Sequence, residues 1–134
     1  MNKYKTIDLP TAIVEIDDWQ MQCCGDPFKV GDIIEWTVLK WNFEKLVVDV
    51  GNIDFYYENH ADSSAELFKI KGTVKKIVAI HCVYQSKSKK DNTLVPVSGI
   101  TVDVTEADGW DKDIEGMRFF GYCAYLENAN VCST

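Results

Sequence analysis

Apolar and polar residues alternate in short runs along most of the chain, and a period of two predicts β-strands. The first two runs are Thr11 to Ile16 and Asp32 to Leu39. The next two are Lys45 to Val50 and Ile53 to Tyr57, and Gly51-Asn52 between them predicts a hairpin turn. The first half of the chain is therefore expected to form consecutive short strands.

The second half continues the alternation with longer runs. Leu67 to Tyr84 exceeds a typical strand, so we expect a bulge or sharp bend at Gly72 that lets one curved strand serve two sheets. A polar, basic hairpin tip at Gln85 to Thr93 follows, and then strands at Leu94 to Val104 and Arg118 to Glu127. No segment of helical length shows a convincing apolar period of 3.6 residues.

Short strands at regular spacing predict an all-β, mostly antiparallel fold. The first choice is a small SH3-like or OB-like barrel, because the phrase Phe-x-Val-Gly-Asp-x-Ile from Phe28 to Ile34 is common where such barrels begin. A β-sandwich is the second choice. A chain of 134 residues fits one domain with its own core, and we expect residues 1–134 to form one.

Composition and charge narrow the choice of partners. The formal net charge is −7, and Arg118 is the single arginine. Both features oppose extended contact with a phosphate backbone, so we expect no nucleic-acid partner. The N-terminal residues contain no signal-peptide pattern and no run is long enough to span a bilayer, so we expect a cytoplasmic protein that does not bind membranes. The expected partner is a small molecule or another protein.

The stretch from Trp19 to Phe28 concentrates an indole, a thioether, two adjacent thiols and two turn-forming residues within ten positions. Ordinary core strands rarely combine such residues, and Gly25 with Pro27 predicts a turn. This stretch is therefore the predicted ligand-binding site. The candidate binding residues are Trp19, Met21, Gln22, Cys23, Cys24 and Phe28.

Two thiols on a turn suggest a soft-metal site, with zinc as the candidate ion. Cys23 and Cys24 would be two ligands, and His60 or His81 would complete the set. The sequence lacks the C-x-x-C spacing that is typical of structural zinc sites. A reactive thiol is the alternative, and a pair of small half-buried residues is the plain structural interpretation, which we favour.

The acidic loop from Thr105 to Gly116 contains Asp111-x-Asp113-x-Glu115-Gly116, which matches the first six positions of a calcium-binding loop. The twelfth position of that pattern is Tyr122, where a bidentate glutamate is needed. A solvated acidic loop is therefore favoured. The four tryptophans and the other aromatic residues are likewise favoured as core rather than as a base-stacking face.

The phrase Trp19-x-Met21-Gln22-Cys23-Cys24-Gly25-x-Pro27-Phe28-x-x-Gly31-Asp32 resembles the signature of a family of small bacterial single-domain proteins of unknown function. The segments Glu58-Asn59-His60 and Gly72-Thr73-Val74 are also similar to that family. The resemblance implies a bacterial, cytoplasmic setting and attaches no activity to the chain.

These observations predict a binding or interaction module that is not an enzyme, with its site at Trp19 to Phe28. The sequence carries no complete catalytic constellation and no nucleotide-binding motif. The alternative is a soft-metal-binding or thiol-dependent protein that uses Cys23 and Cys24 with His60 or His81.

Overall fold

The computed structural model describes residues 6–43, 45–58 and 66–133 of the chain. The elements in chain order are β1 (Thr6–Asp17), α1 (Asp18–Cys24), β2 (Phe28–Lys29), β3 (Ile33–Lys40), β4 (Phe55–Tyr57), β5 (Phe68–Ser88), β6 (Asp91–Val104), β7 (Glu106–Ala107) and β8 (Arg118–Ser133).

Five of these strands close into a barrel. The hydrogen-bonded order is β3-β4-β1-β8-β5, and a pairing between β3 and β5 completes the ring. The neighbours are antiparallel except β1 and β4, which run parallel. Strand β6 extends the sheet beyond the ring by pairing with β5. The predicted all-β barrel is confirmed, and the structure is not the β-sandwich of the second choice.

Alternation along the strands builds the interior of the barrel. Ala12, Val14 and Ile16 of β1 are fully buried, and they share one core with Ala124 and Leu126 of β8. Residues at odd positions of β1 face the other side of the sheet, because successive side chains of a strand point to opposite faces. The predicted first strand is confirmed, and it begins earlier, at Thr6.

Strand β5 is continuous over 21 residues. Its first part pairs with β3 and its second part with β6, while β8 pairs with it from Phe68 to Cys82. The pairing with β8 shifts register between Lys71 and Thr73, which confirms the predicted irregularity at Gly72. The predicted hairpin tip is shorter than expected, because the strands extend to Ser88 and Asp91.

A second layer covers the outside of the barrel. We call residues 41–54, apart from residue 44, the covering segment. Its apolar side chains pack on Val78 and Ile80 of β5 and on Cys123 of β8. The main chain of Ile13 also donates a hydrogen bond to Asp54 Oδ2 over 2.8 Å, which fixes the end of the segment on β1.

The covering segment corrects two predictions. Lys45 to Val50 is not a strand, and Gly51-Asn52 does not join a hairpin. The segment lies over the face of β5 and β8, where it buries its apolar side chains without forming a strand ladder. Only Phe55–Tyr57 of the next predicted run is a strand, and it pairs with β1 and β3.

The prediction that Cys23 and Cys24 lie on a turn is also wrong, because Asp18–Cys24 is a helix. The helix has seven residues, and only Gln20 and Met21 are buried in it. A helix this short shows no helical period in the sequence. The chain leaves the helix at Gly25, whose N–H donates to the carbonyl oxygen of Met21. Within the described residues, no helix is long and apolar enough to cross a membrane.

Candidate functional site

The structure divides the predicted ligand-binding stretch between core and surface. Met21 and Phe28 are buried in the barrel core, where the Phe28 ring packs edge-on against Trp36 with centroids 4.8 Å apart. Trp19 keeps 46% of its surface exposed at the start of α1. Its indole Nε1 donates a hydrogen bond to Asp17 Oδ2 over 3.1 Å. The binding role of this stretch stays a prediction.

The two vicinal cysteines lie at the exposed end of α1. The Cys24 thiol donates to Cys23 Sγ over 3.0 Å. That hydrogen bond is the main reason why the pKa of the Cys24 thiol is raised. Both side chains are exposed, so the interpretation of the pair as half-buried structural residues is wrong, and the thiols are accessible to reagents.

Of the two histidine candidates, His81 is the one that the structure describes. His81 is buried against the ring of Phe119, with centroids 5.8 Å apart. Its neighbour Cys82 is buried on the other face, under the covering segment. His60 lies outside the described residues. Over residues 6–43, 45–58 and 66–133, no group of three or more His, Cys, Asp and Glu side chains is placed to hold a metal ion.

The acidic loop supports the helix with hydrogen bonds. Gln22 Nε2 donates to the carbonyl oxygen of Gly109 over 2.8 Å, and the N–H of Gly109 donates to the Tyr122 hydroxyl over 3.0 Å. That hydroxyl donates in turn to Asp111. Asp113 accepts a bond from the N–H of Phe119 over 2.8 Å. Two acidic residues of the calcium-like pattern therefore hold the loop to the barrel.

A different site lies between the outside of the barrel and the covering segment. It is a pocket of about 390 Å3, which we call the Glu15 pocket. Its lining combines three carboxyl side chains, four aromatic rings and two leucines: Glu15, Asp17, Glu58, Trp41, Phe43, Tyr56, Phe120, Leu39 and Leu46. A larger pocket of about 540 Å3 is lined by the covering segment alone, and its charged residues Lys45 and Asp49 are exposed.

Glu15 gives the pocket its unusual chemistry. Only 1% of this residue is exposed, and its Oε1 has no hydrogen-bond partner among the described residues. It lies between Tyr56 of β4 and Cys123 of β8 in the register of the sheet. A buried carboxyl oxygen without a partner is costly, so a native protein that keeps one calls for an explanation.

The surroundings of Glu15 favour its neutral form. Burial raises the pKa of Glu15 well above its ordinary value, and the hydrogen bond and negative charge of Asp17 and the charge of Asp18 raise it further. Asp17 itself is held in place, because its Oδ2 accepts hydrogen bonds from the Tyr56 hydroxyl over 2.6 Å and from Trp19. Glu15 therefore keeps its proton at a pH where an exposed glutamate has lost it.

The aromatic walls of the pocket form one connected group. The rings of Trp41 and Phe43 lie 4.9 Å apart between centroids, and Phe43 and Tyr56 lie 5.2 Å apart. The interpretation of the aromatic residues as core is confirmed for Phe28 and Trp36. It is wrong for Trp19 and Trp110, which are 46% and 66% exposed, and for the present group, which lines a pocket.

Sequence reasoning did not select Glu15. In the alternating first strand, the Glu15 side chain points to the face opposite that of Val14 and Ile16. In a barrel without a second layer, that outer face is solvated. The available signal was the apolar content of the covering segment, which has to bury its side chains on some face of the sheet. The covering segment buries Glu15 on the outer face of β1.

Comparisons with known proteins place the chain in a family without giving it an activity. No curated protein and no solved structure matches the sequence. A family match covers residues 10–128, a range that contains α1 and all residues lining the Glu15 pocket. The chain therefore belongs to the family of unknown function DUF6578.

Proposed function

We propose that this chain is a binding domain that takes a small organic molecule in the Glu15 pocket and does not transform it. The observation that carries the proposal is the buried Glu15 carboxyl. Glu15 lines a pocket with aromatic walls, and its Oε1 has no hydrogen-bond partner among the described residues. Ligand sites are typically concave and mostly apolar, with a few polar groups that fix orientation.

The predicted site at Trp19 enters this proposal through Asp17. Asp17 lines the pocket and accepts the hydrogen bond from the Trp19 indole, so the start of α1 borders the site. Cys23 and Cys24 are at the opposite end of the same helix. In the proposal, Trp19 positions a pocket carboxylate, and Met21 and Phe28 act through the core.

An NMR screen with a library of neutral, cationic and anionic ring fragments tests the proposal. The chain has four tryptophans, and each contributes one indole N–H resonance. We expect binding fragments to shift the signal of Trp41, which lines the pocket, and to leave that of Trp110, which is 66% exposed on the acidic loop.

A matched pair of variants makes this test specific. Leu39→Phe fills part of the pocket, and Leu94→Phe makes the same change on the exposed surface of β6. We expect only Leu39→Phe to weaken fragment binding. If no fragment class shifts the Trp41 signal, the proposed function is wrong.

The second candidate function is thiol-dependent or soft-metal binding at Cys23 and Cys24. The observation in its favour is the exposed thiol pair with sulfur atoms 3.0 Å apart. Native mass spectrometry of untagged protein, purified without chelator, tests it. A stoichiometric zinc mass that Cys23→Ser abolishes and Cys132→Ser retains supports this candidate, and a clean apo mass contradicts it.

A further inference from the structure

We infer that the Glu15 pocket selects an organic cation, an inference that rests on the proposed function. In the bound state, the ammonium group of the ligand lies against the carboxyl groups of the pocket. The apolar part of the ligand packs on the aromatic walls.

The charge of the lining is the first argument. Glu15, Asp17 and Glu58 line the pocket, and no lysine, arginine or histidine is among its described lining residues. A ligand carboxylate or phosphate would meet carboxyl groups and no positive charge there, whereas a cation meets groups that complement its charge. The net charge of −7 favours the approach of a cation as well.

The rings supply the second argument. Trp41, Phe43, Tyr56 and Phe120 all line the same pocket. The face of an aromatic ring carries partial negative charge, so it attracts a cation, and aromatic cages are a recurrent solution for alkylated ammonium groups. A purely apolar ligand would use these rings but would leave Glu15 Oε1 without a partner.

The third argument is the protonation of Glu15. The titratable groups around it come from three places in the fold: Asp17 and Asp18 at the β1–α1 junction, Tyr56 and Glu58 in and just after β4, and Cys123 on β8. The covering segment contributes only Trp41, Phe43 and Leu46 to the lining. None of these neighbours carries a positive charge. A bound ammonium group supplies one, so Glu15 ionises on binding and its proton passes to the solvent.

Proton release makes the binding of a permanent cation pH-dependent. While Glu15 is protonated in the free protein, the affinity should rise with pH by up to about tenfold per pH unit. The dependence should level off once Glu15 is ionised without ligand. A neutral ligand releases no proton and should show no such rise.

The experiment compares cations with their neutral counterparts of matched shape. Choline is paired with 3,3-dimethylbutan-1-ol, in which carbon replaces the charged nitrogen, and n-butylammonium is paired with butan-1-ol. Dissociation constants come from titration of the Trp41 indole signal, with Trp110 as the internal control. We expect at least one cation to bind about tenfold or more tightly than its neutral partner, since desolvated cation–carboxylate contacts are worth more than about 1.4 kcal/mol.

Two variants tie the selectivity to the carboxyl groups. Glu15→Gln keeps the shape and removes the ionisable group, so it should lose the cation preference and the pH dependence together. Glu58→Gln should weaken cation binding and keep the pH dependence. Glu106→Gln, an exposed residue on β7, is the matched control that should change neither.

The outcomes separate the inference from the proposed function. Equal binding of cations and neutral partners, or preference for the neutral ones, overturns the inference and leaves the pocket as a binding site. Failure of both cations to shift Trp41 also overturns it, and the fragment screen then decides whether the proposed function stands. A pH dependence that Glu15→Gln retains excludes Glu15 as the group that ionises.

Discussion

Gln22 of α1 donates a hydrogen bond to the carbonyl oxygen of Gly109, although the two residues are 87 positions apart in the chain. Gly109 is in turn fixed to the barrel, because its N–H donates to the buried Tyr122. Burial and the hydrogen bond to Asp111 raise the pKa of Tyr122, so its hydroxyl stays protonated as a donor. The helix is thus held through the acidic loop as well as through its own strand.

Gly109→Ala should destabilise the protein more than Gly116→Ala. Both glycines have positive φ angles, 90° and 76°, so alanine is strained at either position. A Cβ at Gly109 would also lie 2.7 Å from Met21 Cβ, whereas a Cβ at Gly116 meets no atom within 4 Å. We expect a loss of about 1 kcal/mol at Gly116 and about 2 kcal/mol or more at Gly109, measured by urea unfolding. Equal losses would show that the contact with α1 carries no energy.

Glu15→Gln should change how stability depends on pH. The pKa of Glu15 is raised in the folded state above the 4.5 of an ordinary glutamate. The folded protein therefore holds a proton that the unfolded chain has lost, and stability falls as pH rises through that window, by at most about 1.4 kcal/mol per pH unit. Urea unfolding at about pH 5 and about pH 8 measures the free energy of unfolding at each pH. It should fall between the two for the unmodified protein, and fall less for Glu15→Gln.

The control for that prediction is Glu106→Gln, which removes an exposed carboxyl and should keep the full pH dependence. If the stability of Glu15→Gln falls with pH as steeply as that of the unmodified protein, Glu15 is ionised in the folded state. The charge switch in the proposed binding mode would then be wrong.

The cysteines should react in two classes. Cys23 and Cys24 are exposed, whereas Cys82 and Cys123 are buried and free. Burial also raises the pKa of both buried thiols. Alkylation with iodoacetamide followed by mass spectrometry should therefore modify the vicinal pair in the folded protein and the buried pair only after unfolding. Rapid modification of Cys82 would mean that the covering segment opens readily.

Trp19→Ala should leave the fold intact and weaken ligand binding. Trp19 is 46% exposed, while Trp36 is 9% exposed within the core. We expect Trp36→Ala to cost about 3–5 kcal/mol and Trp19→Ala to cost about 1 kcal/mol or less. Trp19→Phe separates the ring from the indole N–H that binds Asp17. If Trp19→Ala unfolds the protein, the residue is structural and its place beside the binding site is lost.

The elements that the sequence predicted well are strands whose side chains alternate between a buried face and the opposite face. Thr11 to Ile16 and Asp32 to Leu39 became β1 and β3, and Gly72 marks the predicted irregularity in β5. Their patterns are local, because a strand with one buried face shows that face at every second residue.

The elements that the sequence did not predict depend on contacts between distant segments. The apolar residues of Lys45 to Val50 alternate as a strand does, but they meet a sheet face instead of an edge. The burial of Glu15 follows from that cover and from no feature of its own strand. Helix α1 is stabilised by Gly109 rather than by its own short sequence.

The pairing of β1 with β8 has a consequence for biosynthesis. The register runs from Thr6 opposite Cys132 to Asp17 opposite Gly121, so the earliest of the described strands to be synthesised is partnered by the latest. Until residues 118–133 have emerged, β1 lacks its longest partner and the ring cannot close. Nascent chains that stall before this point would present an open, apolar edge to chaperones and to one another. Closure of the barrel during translation thus waits for the synthesis of β8, which joins β1 to β5.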